Sequence, residues 1–232
     1  MAERVVQLRR RYLSFPVKSG APIRRVSLWI GGQAVREFDI ELAEGDPDFW
    51  VFLDVSFFAG HTATLRAGAP GEEVPALRRV VHGDQIPGSE ELYREAYRPQ
   101  FHFSARRGWL NDPNGLVYFR GEYHLFYQHN PYGCRWGNMH WGHAVSTDLV
   151  RWRELSIALY PRCYGDWVFS GSAVIDWRRT SGLGAGSEPP MVAVFTSTGR
   201  GECLAYSTDR GRSFTEFEGN PVFRHQGRDP RV

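Results

Sequence analysis

Short apolar runs alternate with polar residues along nearly the whole chain, and turn residues separate them. Residues 26–30 and 34–42 flank Gly31-Gly32, the pattern of two strands joined by a tight hairpin. Residues 49–56 and 63–66 are further strand candidates. Several short strands at this spacing predict a small β-sandwich over residues 1–82. Residues 83–99 read as a linker. Within it, residues 89–97 carry Ser89 as a candidate N-cap with acids in the first turn, which predicts a short helix ended by Arg98-Pro99.

From residue 100 onward the apolar runs continue as strands. Trp109 and Leu110 lead into Asn111-Asp112-Pro113-Asn114-Gly115, and residues 116–119 leave it, which predicts a tight turn followed by a strand. Residues 116–119 and 123–127 form one hairpin about Arg120-Gly121, and residues 140–146 and 150–154 form another. Residues 167–175, 191–196, 203–207 and 213–217 complete the series. Two hairpins resemble each other. Ala144-Val-Ser-Thr-Asp148 precedes Trp152 and Glu154, and Ala205-Tyr-Ser-Thr-Asp209, 61 residues later, precedes Phe214 and Glu216. A repeated antiparallel hairpin at this period points to the blades of a β-propeller. A blade needs roughly 45–60 residues, so residues 100–232 hold two to three of them. Arg228-Asp229-Pro230-Arg231-Val232 reads as the entry to another strand, and the expectation is a chain cut off in mid-domain.

Composition narrows the function classes. The 232 residues are 42% apolar and 23% charged, as in an ordinary globular protein. A net charge of +2 argues against nucleic acid or an anionic membrane as partner. Arg9-Arg10-Arg11 reads as a solvated strand end. No apolar run is long enough to span a bilayer, and no secretory segment is visible at the start. Three cysteines, Cys134, Cys163 and Cys203, without paired spacing argue against a disulfide framework. A cytoplasmic location is the expectation, with an extracellular one left open for a longer relative. The 14% aromatic content, eight Trp included, suits strands and also suits stacking on sugar rings.

Asp112 lies between the amide side chains of Asn111 and Asn114, where N–H donors could hold a carboxylate toward a cleft. Asp229 is a second Asp-Pro at a strand edge. In a propeller such residues point into one central funnel, and paired carboxylates there suit glycoside chemistry. Two unrelated turns are the competing reading. Glu202, at the start of a strand, reads as a solvated edge residue. His140 and His143 lie three apart on a strand and would face opposite ways, and His124 and His129 have no evident third partner. No metal and no cofactor are expected, and there is no phosphate loop, nucleophile elbow or zinc spacing.

Five segments follow one another along the chain: Trp109-Leu-Asn-Asp-Pro-Asn-Gly115, Phe126-Tyr-Gln-His-Asn-Pro131, Trp136-Gly-Asn-Met-His-Trp-Gly-His143, Phe169-Ser-Gly-Ser172 and Arg228-Asp-Pro230. Together they resemble glycoside hydrolase family 32, the family of invertases, levanases and inulinases. The resemblance runs from about residue 98 to the end, and the preceding β segment resembles an extra domain of some bacterial levanase-like members. It implies a five-bladed propeller, a fructose-containing oligo- or polysaccharide as substrate, and a retaining mechanism through a fructosyl-enzyme. Asp112 matches the nucleophile, Asn111 a residue that holds it, and Asp229 the transition-state stabiliser, with Arg228 beside it in the substrate site. Trp109, Gln128, Trp136, Phe169 and Ser170 match positions that bind substrate. The family's acid/base is a Glu in a Glu-Cys pair after the Arg-Asp-Pro segment. Glu202-Cys203 precedes that segment, so the role is not carried over to Glu202. The expectation is a chain inactive by itself; a non-catalytic fructan-binding protein and a truncation product without function are the alternatives.

Overall fold

The first seven strands form two antiparallel sheets, and alternation is clearest on the two whose burial follows period two. The strands are β1 (Ala2–Gln7), β2 (Tyr12–Val17), β3 (Ile23–Ile30), β4 (Gln33–Glu41), β5 (Phe49–Asp54), β6 (Thr62–Ala67) and β7 (Val81–Gly83). One sheet has the order β1-β6-β3-β4 and the other β5-β2-β7. On β5 and β6 the alternate residues Val51, Leu53, Ala63 and Leu65 are buried, the pattern of strands with one face on a core. Leu13, Phe15 and Val17 of β2 join them, and Phe15 meets Phe38 edge-on at 5.4 Å. The result is the expected small β-sandwich. Arg10 and Arg11, in the link between β1 and β2, are exposed and pair with Asp84 and Asp54.

The computed structural model describes residues 1–232 and groups them into two units: Met1–Gln100 with Ser104–Trp109 and Asn130–Asn138, and Phe101–Phe103 with Leu110–His129 and Met139–Val232. The first unit thus includes a segment from within residues 100–232. Tyr132 stacks on Phe38 at 3.7 Å, and the Asn138 side chain both accepts from the Asp39 N–H at 2.9 Å and donates to its carbonyl at 2.8 Å. Amide side chains can copy a backbone pairing in this way, which ties residues 130–138 to β4.

The helix expected over residues 89–97 is a correction. Only Ser89–Glu91 forms a single 3-10 turn, preceded by Gly88 and uncapped by a side chain. A short segment cannot meet the cost of helix nucleation from propensity alone. Its Glu95 is drawn instead into ion pairs with Arg98 at 2.6 Å and Arg107 at 2.8 Å. Hydrogen bonds from Arg98 hold the Glu95 carboxyl down to about 2.

The second unit contains two four-stranded antiparallel meanders, the form of propeller blades. The first runs through β8 (Trp109–Phe119), β9 (Glu122–Asn130), β10 (His140–Ser146) and β11 (Arg153–Glu154). The second runs through β12 (Val168–Ile175), β13 (Met191–Ser197), β14 (Gly201–Ser207) and β15 (Thr215–Glu216). Phe119, Phe126 and Trp141 from the first blade join Met191, Phe195 and Cys203 from the second in one buried cluster. The repeated hairpins occupy corresponding places in the blades: Ala144 pairs with Glu154, and Ala205 pairs with Glu216. In each, a serine hydroxyl and an aspartate three-dimensionally cap the turn. Ser146 accepts from the N–H groups of Asp148 and Leu149, and Ser207 from those of Asp209 and Gly211.

Candidate active site

Asn111-Asp112-Pro113-Asn114-Gly115 does not form a turn. It lies inside the continuous strand β8, which corrects the expectation from its turn-rich composition. β8 is the edge strand of its sheet, and an edge tolerates a proline without a ladder N–H. Gly115 is needed there for two reasons. Its φ is +56°, and an added Cβ would lie 2.7 Å from Phe126 Cδ2 and 3.1 Å from Trp141 Cζ3. The backbone therefore presses directly onto the aromatic core just beyond Asp112.

Asp112 is exposed, and both carboxylate oxygens have donors. Asn111 Nδ2 donates to Oδ1 at 3.2 Å, and Ser170 Oγ donates to Oδ2 at 3.0 Å. Asn114, expected on the other flank, is 4% exposed, and its amide makes no hydrogen bond in the structure.

Strand β12 organises the remaining residues. Its pairing with β13 shifts between Val168 and Gly171, so Phe169 and Ser170 together lie opposite the single Thr196. This is a β-bulge, which re-aims side chains that strict alternation would send to opposite faces. Ser170 reaches Asp112, while the Arg228 guanidinium lies 5.9 Å from the centre of the Phe169 ring. Gly171 follows the bulge at a point where a Cβ would overlap the Val194 carbonyl at 1.9 Å. Ser172, next along the strand, donates to the Pro230 carbonyl at 3.1 Å and accepts from the Val232 N–H at 3.1 Å. One short stretch of β12 thus holds both the Asp112 carboxylate and the segment that carries Asp229.

Asp229 has a φ of +62°, a conformation aspartate tolerates better than most residues. Its side chain is 47% exposed, and Arg228 Nε lies 3.3 Å from Oδ2. Gln128 is buried and donates to the Val168 carbonyl at 3.0 Å, at the start of β12. Trp141 supports the same strand by donating from Nε1 to the Phe169 carbonyl at 2.9 Å. Asn111, Asp112, Gln128, Phe169, Ser170, Arg228 and Asp229 therefore meet around β12. Trp109 and Trp136 belong to the first unit, where Trp136 is exposed.

Glu202 corrects its expected reading as a solvated edge residue. It is 4% exposed, receives a hydrogen bond from the Thr196 hydroxyl, and lies 2.8 Å from His225 Nε2. Ser172 and Thr196 are the contributors that sequence reasoning missed. Ser172 was visible inside the Phe169-to-Ser172 segment, whereas Thr196 gives no local signal.

The chain's arrangement is a pair of partly exposed carboxylates near an aromatic ring and a guanidinium. Such a set can stabilise positive charge on a sugar ring and hydrogen-bond its hydroxyls. Residues 102–232 match the family described as glycosyl hydrolases family 32 N-terminal domain. The levanase of Bacillus subtilis (strain 168) is 54% identical over 147 residues, which are 60% of this chain and 22% of the levanase. The crystal structure of exo-inulinase from Aspergillus awamori is similar with a TM-score of 0.56 and 39% identity, covering 60% of this chain and 33% of that one. The β-fructofuranosidase of Schwanniomyces occidentalis complexed with fructosyl-erythritol is similar with a TM-score of 0.55 and 39% identity, covering 58% of this chain and 29% of that one. The chain spans between a fifth and a third of the length of these relatives.

Proposed function

Because the chain belongs to glycosyl hydrolase family 32, we propose that it carries the nucleophile and stabiliser of a site that hydrolyses β-fructosyl linkages of the sucrose, levan or inulin type. The observation that carries this reading is Asp112 held on both oxygens, by Asn111 and by Ser170 of the bulged strand that also binds the Asp229 segment. Asp112 attacks the anomeric carbon of a terminal fructosyl unit, the bond to the leaving oxygen breaks, and a fructosyl-enzyme forms with retention after hydrolysis. Oriented donors keep the carboxylate aimed. Asp229 accepts hydrogen bonds from sugar hydroxyls, which strengthen as the ring gains positive charge. Phe169 offers a ring face beside them, and Gln128 and Arg228 complete the sugar contacts by resemblance.

The general acid is not assigned within residues 1–232. Glu202 is enclosed by Thr196 and His225. Without an acid, an alkoxide leaves unaided, a loss of about 10²–10⁴-fold. The 232-residue chain alone is therefore inactive or nearly so on ordinary fructans. The retained carboxylates and aromatic ring also support a second reading, fructan binding without turnover.

A substrate whose leaving group needs no proton separates the two. Incubation with fructosyl fluoride is expected to add one fructosyl unit to the chain, mapped by peptide mass to Asp112, and Asp112→Asn is expected to remain unlabelled. Absence of any adduct, with saturable fructan binding by calorimetry, would favour the binding reading; an adduct elsewhere would sink the assignment of Asp112.

A further inference from the structure

Glu202 is a buried carboxylate that the proposed chemistry leaves unused, and its contacts lead to Asp229. Thr196 and Glu202 are cross-strand partners on β13 and β14. Both are nearly inaccessible to solvent. The Asp229 N–H donates to Thr196 Oγ1 at 3.0 Å. Thr196 Oγ1 lies 2.9 Å and 3.1 Å from the two oxygens of Glu202. A hydroxyl has one hydrogen, and a carboxylate can only accept, so the direction of the chain is set: Asp229 N–H to Thr196 Oγ1, then Thr196 O–H to Glu202.

The same residue holds the approach to Asp229 in two other ways. Glu202 N–H donates to the Phe223 carbonyl at 2.9 Å, and the Val222 N–H donates to the Glu202 carbonyl at 2.9 Å. His225 Nε2 lies 2.8 Å from Glu202 Oε1. Residues 222–229 contain no regular strand, and Glu202 touches them by backbone at the start, by side chain in the middle, and through Thr196 at the end. Thr196 is also the residue opposite the Phe169-Ser170 bulge, so this anchor adjoins the strand that holds Asp112.

We propose that Glu202 is a positioning residue for the fructosyl site: through Thr196 it fixes the backbone of Asp229 in its left-handed conformation and so aims the stabilising carboxylate. The proposal rests on the reading of Asp229 as a sugar-binding carboxylate. It gives Glu202 a role in ground-state and transition-state binding, distinct from proton transfer.

The test uses the 232-residue chain, with amide exchange followed by NMR and binding of 1-kestose, a fructosyl-sucrose trisaccharide, followed by titration. Thr196→Val removes the acceptor for the Asp229 N–H and the donor to Glu202. It is expected to speed exchange at Asp229 and to weaken kestose binding, each about tenfold, the size of one hydrogen bond. Thr196→Ser restores the hydroxyl and is expected to bring both values to within about twofold of the parent, since the same bonds re-form. Glu202→Ala should behave as Thr196→Val, and exchange at Ala193 and Ala205 in the blade core should not change. Unchanged Asp229 exchange or unchanged kestose affinity in Thr196→Val overturns the proposal, as does a uniform rise in exchange across the blade. Asp229→Ala separates the underlying reading: if it binds kestose as the parent does, that reading and this proposal fall together. If Asp229→Ala loses binding while Thr196→Val keeps it, only the positioning role fails.

Discussion

At Gly115 the absence of a side chain lets an edge strand carry the Asp112 carboxylate close to a packed core. The positive φ and the near contact with Phe126 and Trp141 both exclude a Cβ. Gly115→Ala is expected to destabilise the protein by about 2–3 kcal/mol, from overpacking together with backbone strain. A urea midpoint close to the parent's would show that the strand shifts freely and that Asp112 is not rigidly placed. Residue identity alone marked Asp112 and Gly115 as special, because Asn, Asp, Pro and Gly are conspicuous when clustered. It misjudged what they form: an edge strand accommodates the same residues as a turn, and only pairing with β9 decides between them. Glu202 teaches the converse. Its burial and its contact with Thr196 depend on strands that meet across the sheet.

The repeated hairpin is the element most fully legible from sequence. Alternation and the Ser-Thr-Asp corner recur, and the two copies pair corresponding alanines and glutamates, Ala144 with Glu154 and Ala205 with Glu216. Their surroundings differ. Ser207 accepts from the buried Gly211 N–H at 2.7 Å, whereas the corresponding N–H groups at Ser146 are only partly buried. Ser207→Ala is expected to cost about 1–2 kcal/mol, because a buried donor loses its acceptor, and Ser146→Ala less, because water can replace the hydroxyl. Denaturant melts of the two variants check this, and the reverse order would refute it. The 89–97 segment shows the opposite case: its capping signal was real in composition, yet Arg98 and Arg107 recruit Glu95.

Within the second unit, the turn of one blade rests on a histidine pair of the other. His124 Nδ1 and His143 Nε2 are 3.0 Å apart, both rings are buried, and Gly211 of the second blade leaves room for them. Burial pushes His124 down to about 4 from an ordinary 6.5, with Glu122 opposing and Arg212 assisting. Burial also pushes His143 well down, with His124, Arg212 and Arg153 adding to the effect and Gly211 opposing it. The folded chain therefore binds fewer protons than the unfolded chain between these values. Stability should be full above about pH 6.5 and should fall as the pH drops toward about 4. Urea midpoints at about pH 7 and about pH 5 are expected to differ less in the His124→Phe, His143→Phe double variant than in the parent. An equal pH dependence in both would remove the pair from this account.

By itself the sequence determined the all-β class, the sandwich ahead of the propeller strands, the blade repeat and the motifs that contain Asp112 and Asp229, because alternation, turn composition and motif order are local properties of the chain. Tertiary structure alone decided four things: that residues 130–138 join the first unit, that β8 continues through Asp112, that a bulge sets Phe169 and Ser170 together opposite Thr196, and that Glu202 is buried against the Thr196 hydroxyl that binds Asp229. Each depends on which distant strand supplies the missing donor, acceptor or packing surface. No local window of sequence contains that partner.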